Sequence, residues 1–416
     1  MKRRKALKLS AAASLMAPHA ISSMPYLFST PSAQKAKSSH KILQLDELKE
    51  PLIIEQLELL KNGRNWIVRV RTKSGAEGIA ISHNRHMESL YPIFLNKIAP
   101  FFIGKDARRL EEWVDKIYRS NSNYKFQGLP FWVPLASAEF AILDLLGKVA
   151  NKAVGELFGQ VHHKHIAVYQ ANNFRGKSAE ESVALIQQQV EESAAKAAKY
   201  KIGGRMSRIQ DDPAGRTEKL IPLVRKTLGD EMVLYADSNG SYDVENSIRV
   251  GRLLEETGVS FFEEPCPFDH YDQTKAIADA LDIPIAGGEQ DSSLWMMKWM
   301  IEQDAIQVVQ PDLFYFGGMI RSMQVAQIAA AKGIPCTPHI SGVGLGYVYM
   351  LHFVSALPNA GPFHEFKRLN SRLPFNCPTS SLTSEDGRIK VPIGPGLGIE
   401  LEKSFLQEAK LVKPGS

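Results

Sequence analysis

A chain of 416 residues, 44% of them hydrophobic, is long enough for two or three packed units. Three cysteines, Cys266, Cys336 and Cys377, lie far apart without a CxxC, so neither a disulfide framework nor a cysteine zinc site is indicated, and no run of about 18 apolar residues suggests a membrane span. The net charge of +5 comes from residues 1–40, which hold seven basic groups and no acid; the remainder carries −2 and offers no basic face to nucleic acid.

The elements follow in chain order. "MKRRKALKLSAAASLMAPHAISSMPYLF" pairs Arg3 with Arg4 ahead of an Ala/Ser/Leu-rich stretch. It resembles a twin-arginine export signal, which predicts a periplasmic or otherwise exported protein. The alternative is a disordered basic tail on a cytoplasmic one. Residues 41–160 read as an α+β capping domain. "NWIVRVRTKSGAEGIAIS" (65–82) gives two strands around a Ser-Gly turn, Asp106 caps a helix, and 134–160 is a long apolar helix.

From 161 to 366 the pattern alternates. Apolar runs at 165–171, 198–202, 232–236, 259–262, 283–286, 305–309, 334–337 and 363–366 predict strands. Amphipathic helices lie between them, as at 179–196, 213–228, 243–257 and 319–332. Eight strands with about seven helices predict an α/β fold: a modified (β/α)7β TIM-type barrel with its chemistry at the strands' C-terminal ends. An open doubly wound sheet is the alternative, but the GxGxxG loop usual after its first strand is absent. Residues 367–416, rich in Pro and Gly, return to cover the capping domain.

Polar residues follow these strands at matched depth. On the second, Lys199 and Lys201 share one face and Tyr200 takes the other, because side chains alternate. "YADSNG" brings Asp237, "FFEEP" brings Glu263 and Glu264, and "AGGEQ" brings Glu289, at intervals of 26 residues. Alternation allows one of the two adjacent glutamates to point inward. Clustered carboxylates repel one another, and a divalent cation relieves this. All-oxygen ligands favour Mg²⁺. Farther round, Asp312 and His339 lie 27 residues apart on adjacent strands, where the acid can fix the imidazole tautomer. Glu365 can reach the rim from the eighth strand, and His364 points away. Such a set suits removal of a proton beside a carboxylate, with the metal stabilising the enediolate.

These motifs together resemble the enolase superfamily, in its mandelate racemase-like branch, from about residue 45 onward. The resemblance rests on "SAEFAILDLLGK…VGELFG", the Lys199–Lys201 pair, "YADSNG", "FFEEP", "GGEQ", "PDLFYFGG" and "TPHIS". It implies one Mg²⁺ per subunit on Asp237, Glu263 and Glu289. Lys201 is implied as base on one face, with Lys199 touching the substrate carboxylate. His339, oriented by Asp312, is implied as acid/base on the other face. Asn239 is implied as a substrate contact near the metal, and Glu365 as a hydrogen-bond partner of the substrate carboxylate when protonated. Tyr315 stands two residues before Gly317-Gly318, where relatives often carry lysine; its presence argues against muconate lactonisation and dipeptide epimerisation.

The long segment after the lysine pair carries Arg205 and Arg208, which either shape the pocket or contact substrate, or belong to a solvated loop. Loops within 50–65 and 83–92 are expected to close over the barrel and set specificity. The implied activity is acid-sugar dehydration to a 2-keto-3-deoxy acid by a homo-oligomer acting on a small carboxylate. Racemisation or epimerisation of a 2-hydroxy acid is the alternative, and a non-catalytic acid-sugar binding protein is the reading from another class.

Overall fold

The computed structural model describes residues 41–341, 345–367 and 373–413. The expected export signal at 1–40 lies outside them.

The chain opens with an antiparallel meander, β1 (Ile54–Asn62), β2 (Asn65–Thr72) and β3 (Glu77–Ile81). Helices α1 (Asn84–Ile93), α2 (Ala99–Phe102), α3 (Leu110–Arg119) and α4 (Leu129–Ala150) follow. The side chain of Asp106 accepts from Arg108 N and caps a 3₁₀ turn that leads into α3. The long apolar helix is placed five residues earlier than the sequence suggests. It ends at Asn151 in the left-handed conformation, and residues 154–158 form a separate 3₁₀ turn. Pro130 sits in the first turn, where a missing N–H costs nothing, and Pro134 lies inside the helix. By length and hydropathy α4 could cross a membrane, yet nearly all of it is buried against protein.

Two stretches expected to be loops are regular. Residues 54–62 form β1, hidden in the sequence because a bulge between Ile54 and Gln56 breaks the alternation. Most of 83–92 is α1, whose N-cap is His83.

The barrel strands are β4 (His165–Ala171), β5 (Ala197–Lys201), β6 (Val233–Asp237), β7 (Phe261–Glu263), β8 (Ile285–Gly287), β9 (Val308–Val309) and β10 (His364–Phe366). They pair in parallel in the order β10-β4-β5-β6-β7-β8-β9. The intervening helices are α5 (Ala179–Ser193), α6 (Arg216–Leu228), α7 (Val244–Glu256), α8 (Tyr271–Ala280), α9 (Leu294–Glu302), α10 (Met319–Ala330) and α11 (Leu345–Ser355). The expected seventh strand shrinks to Cys336, bridging in parallel to Val309 on one side and Ala360 on the other. That bridge closes the ring. Inside it, Tyr169, Ala197, Tyr235, Phe261, Ala286 and Val308 form an apolar layer. Tyr235 and Phe261 stack at 3.8 Å. This layer is the floor on which the polar residues stand, as expected of a filled barrel interior.

The C-terminal segment contributes β11 (Phe375–Asn376), β12 (Arg388–Lys390), β13 (Glu400–Leu401), α12 (Lys403–Glu408) and β14 (Lys410–Leu411). β12 pairs with the start of β4, and β14 adds to the edge of β1.

Candidate active site

Strand register sets the site. Lys201 on β5 is the Cα partner of Asp237 on β6, which partners Glu263 on β7. Glu289 follows two residues beyond the end of β8. Carboxylate oxygens of Asp237, Glu263 and Glu289 lie within 4.8 Å of one another, and all three residues are buried. Lys201 Nζ contacts Asp237 Oδ2. Lys199 Nζ donates to both oxygens of Glu263 at 2.7 and 2.8 Å, and lies 3.6 Å from Glu365 and 3.8 Å from Asp237. The repulsion expected between two buried lysines is thus offset by the carboxylates opposite them. Burial opposes the charge on Lys199, but Glu263 and the neighbouring acids outweigh it and hold the ammonium protonated. On Glu263, burial and the charge of Asp237 work against Lys199 and push the carboxyl upward.

This donor set fits a hard divalent cation: three buried carboxylates, no sulfur or nitrogen among them, and Glu289 Oε2 without a hydrogen-bond partner.

At the far end of the triad, His339 Nδ1 lies 2.8 Å from Asp312 Oδ2. Its Nε2 lies 3.4 Å from Glu289 Oε2 and 3.7 Å from Glu365 Oε2. Backbone N–H groups of Phe314, Tyr315 and Ser341 also donate to Asp312, at 2.8, 3.0 and 2.6 Å. Burial alone would raise Asp312, but the bond and charge of His339 and these donors hold it below the usual carboxylate value. Glu365 is likewise held low against its burial, chiefly by Lys367 at 3.1 Å and Lys199. The triad side chains are 0–2% exposed, whereas those of Lys201 and His339 are 9% and 11% exposed. Lys201 and His339 are thus the more exposed members of the cluster, and the three carboxylates the more deeply buried. His364 does point away, toward Gly361 O.

One expectation fails. Alternation was to turn one of Glu263 and Glu264 inward, yet both are buried. Glu264 lies just past β7 with φ at 44°, and this left-handed residue breaks the alternation. Asn239 Nδ2 is 3.3 Å from its Oε2, and burial together with the charges of Glu289, Asp237 and Glu263 raises its pKa.

Asn239, itself at φ 46°, is held in a network. Its Nδ2 also reaches Asp237, and its Oδ1 accepts from Arg175 at 2.9 Å and Arg205 at 3.3 Å. Arg205 is thus at the site although largely exposed; for Arg208, also exposed, the described residues give no side-chain partner. Arg175 escaped the sequence reading. Its guanidinium donates to the carbonyls of Gly203, Ile202 and Asp237. Its signal was position alone: a basic residue shortly after the first barrel strand. Tyr315 was noted only for what it replaces. Its hydroxyl is 3.0 Å from His86 Nε2 and ties the barrel mouth to α1.

A capped (β/α) barrel carrying a buried carboxylate triad between a lysine and an Asp-His pair defines an enzyme of the enolase superfamily. The chain belongs within it to the mandelate racemase/muconate lactonizing enzyme family. Residues 51–159 match "Mandelate racemase / muconate lactonizing enzyme, N-terminal domain", and residues 181–405 match "Enolase C-terminal domain-like". A chain from Roseobacter denitrificans solved as a candidate racemase is 32% identical, with 87% of this chain and 99% of that one covered and a TM-score of 0.81. A mandelate racemase/muconate lactonizing protein from Paracoccus denitrificans PD1222, solved with magnesium, is 28% identical over 88% of this chain and 100% of its own (TM-score 0.78). Arabinonate dehydratase of Saccharolobus solfataricus is 26% identical over 342 residues, 82% of this chain and 89% of that one. The family acts on small carboxylate substrates, and its members bind magnesium.

Proposed function

We propose that this protein is a Mg²⁺-dependent dehydratase of an acid sugar, giving a 2-keto-3-deoxy acid. The observation that carries the reading is the placement of two proton-transfer groups at opposite ends of one carboxylate triad, Lys201 beside Asp237 and His339 beside Glu289. Asp237, Glu263 and Glu289 would hold one Mg²⁺, which supplies stabilisation of negative charge on the substrate's carboxylate oxygens. Lys199 orients that carboxylate, Glu365 joins it only once protonated, and Asn239 with Arg205 borders it. Lys201 or His339 takes the proton from the carbon beside it. As the β-carbon–oxygen bond breaks, His339 in its imidazolium form delivers a proton and the hydroxyl leaves as water. The resulting enol tautomerises to the keto acid. Asp312 keeps the Nδ1 proton in place, so that Nε2 is the working nitrogen.

Racemisation or epimerisation of a 2-hydroxy acid uses the same two groups, one for each face, and the candidate racemase from Roseobacter denitrificans favours keeping it as the second reading. A screen of acid sugars with Mg²⁺ separates the two. Dehydration yields a semicarbazide-reactive keto acid. Racemisation admits solvent deuterium at the α-carbon without loss of water. Turnover that survives chelation, or none across the set, overturns the proposal. Export by the twin-arginine route and homo-oligomerisation belong to the same proposal. Fractionation of an Arg3→Lys/Arg4→Lys variant and light scattering test them.

A further inference from the structure

The cavity above the barrel mouth has a volume of about 820 Å³. Its walls come from the β1–β2 turn, the start of α1, and Phe314 and Tyr315 of the barrel. Tyr315 joins it to the reaction centre, because its N–H donates to Asp312 while its hydroxyl meets His86.

The charge lining this cavity is one-sided. Three cationic side chains, Lys61, Arg64 and Arg85, face a single carboxylate, Glu88. That carboxylate is already engaged, accepting from Lys61 Nζ at 2.9 Å and Trp66 Nε1 at 3.1 Å. His83 and His86 add no positive charge near neutrality. Burial, with the nearby cationic and imidazole groups, holds both below the ordinary imidazole value despite Asp312, His83 at about 4. Arg64 and Arg85 remain exposed guanidinium groups with no acidic partner among the described residues. A guanidinium fork matches a carboxylate geometrically, and a concave cationic wall concentrates anions. On the acid-sugar reading the reacting carboxylate has its partners at the triad, which leaves these two arginines for a second anionic group.

We infer that the substrate is a sugar diacid, whose distal carboxylate is held by Arg64 and Arg85 while the reacting one lies at the triad. The inference rests on the acid-sugar reading and narrows it, separating diacids from the monoacids that the same catalytic residues could process. The Tyr315 hydroxyl, 3.0 Å from His86 Nε2, lies in the wall of this cavity.

The test compares aldaric with aldonic acids of matched configuration, such as glucarate with gluconate and galactarate with galactonate, at saturating Mg²⁺. Both kcat/KM and the calorimetric Kd are measured for each pair. The diacid of productive configuration is expected to be favoured at least about 10-fold. The Arg64→Met/Arg85→Met variant is expected to lower the diacid-to-monoacid ratio about 10- to 100-fold, the loss of charge-assisted hydrogen bonds, and the corresponding lysine variant to retain part of it. A monoacid preference, a ratio unchanged in the double methionine variant, or undetectable binding of both members of every pair overturns the inference. If no pair is turned over, the dehydratase reading fails, and the binding ratios still decide whether the cavity selects diacids.

Discussion

Asp312 accepts from three backbone N–H groups and from His339 Nδ1, so its orientation is over-determined. An amide there keeps the shape and removes the charge that holds the imidazole tautomer. Asp312→Asn is therefore expected to fold, with a melting temperature within a few degrees of wild type, and to lose about 10²- to 10⁴-fold in kcat. A kcat near wild type would remove His339 from the chemistry. Arg175 acts through its neighbours, tying three carbonyls at the ends of β5 and β6 to the side chain of Asn239. Arg175→Met frees those acceptors and loosens Asp237. We expect Mg²⁺ affinity to fall about 10- to 100-fold, as when partners behind a metal ligand are removed. A magnesium titration followed by intrinsic fluorescence reads this directly, and unchanged affinity would leave Arg175 a purely structural residue. Side chains within strands, such as Lys199, Lys201 and Asp237, were legible in the sequence because the two-residue repeat fixes their face. Glu264 and Arg175 were not, because they stand past strand ends, where backbone conformation rather than repeat decides direction.

At the scale of elements, one buried acid couples the cap to the barrel. Glu139 of α4 caps the start of α10 through Met319 and Ile320 N–H, at 2.5 and 3.2 Å. A Cβ on Gly318, at φ 113°, would meet that carboxyl at 2.3 Å, so the close approach requires glycine. Burial, only partly countered by the two N–H bonds, raises the pKa of Glu139 to about 8, against about 4.5 when exposed. The folded state therefore holds a proton that the unfolded chain releases between these values. Stability from this group is complete below about pH 4.5 and is lost as pH rises toward 8, by at most about 5 kcal/mol. Chemical denaturation from pH 5 to 8 should show a slope in wild type that is shallower in Glu139→Gln; equal slopes would mean the carboxyl ionises freely in place. The barrel strands were legible because buried parallel strands are short apolar runs between amphipathic helices. β1 was not, since its bulge removes the alternation, and the seventh strand was overestimated because a single residue, Cys336, bridging to both sides, suffices to close the ring.

For the whole molecule, the triad gathers charge from three strands, so whatever neutralises it supports the barrel as a unit. Lys199 already supplies a positive charge 2.7 Å from Glu263, and Lys201 Nζ contacts Asp237 directly. The fold should therefore survive chelation. A cation that binds only the folded state adds RT ln(1 + [Mg²⁺]/Kd), about 2.7 kcal/mol at a hundred times Kd, or a few degrees in a molecule of this size. Removing a lysine changes the balance. Lys199→Met leaves Glu263 buried at 0% exposure without its bidentate partner, and breaking such a pair costs about 3–5 kcal/mol. Magnesium can replace much of that lost charge, so the gain in melting temperature on adding it should be larger in Lys199→Met than in wild type. Glu289→Gln, which removes a ligand and keeps the lysines, should show a smaller gain than either. Equal gains in all three proteins would show that magnesium binds elsewhere, and would separate the triad from the role its oxygens and burial give it.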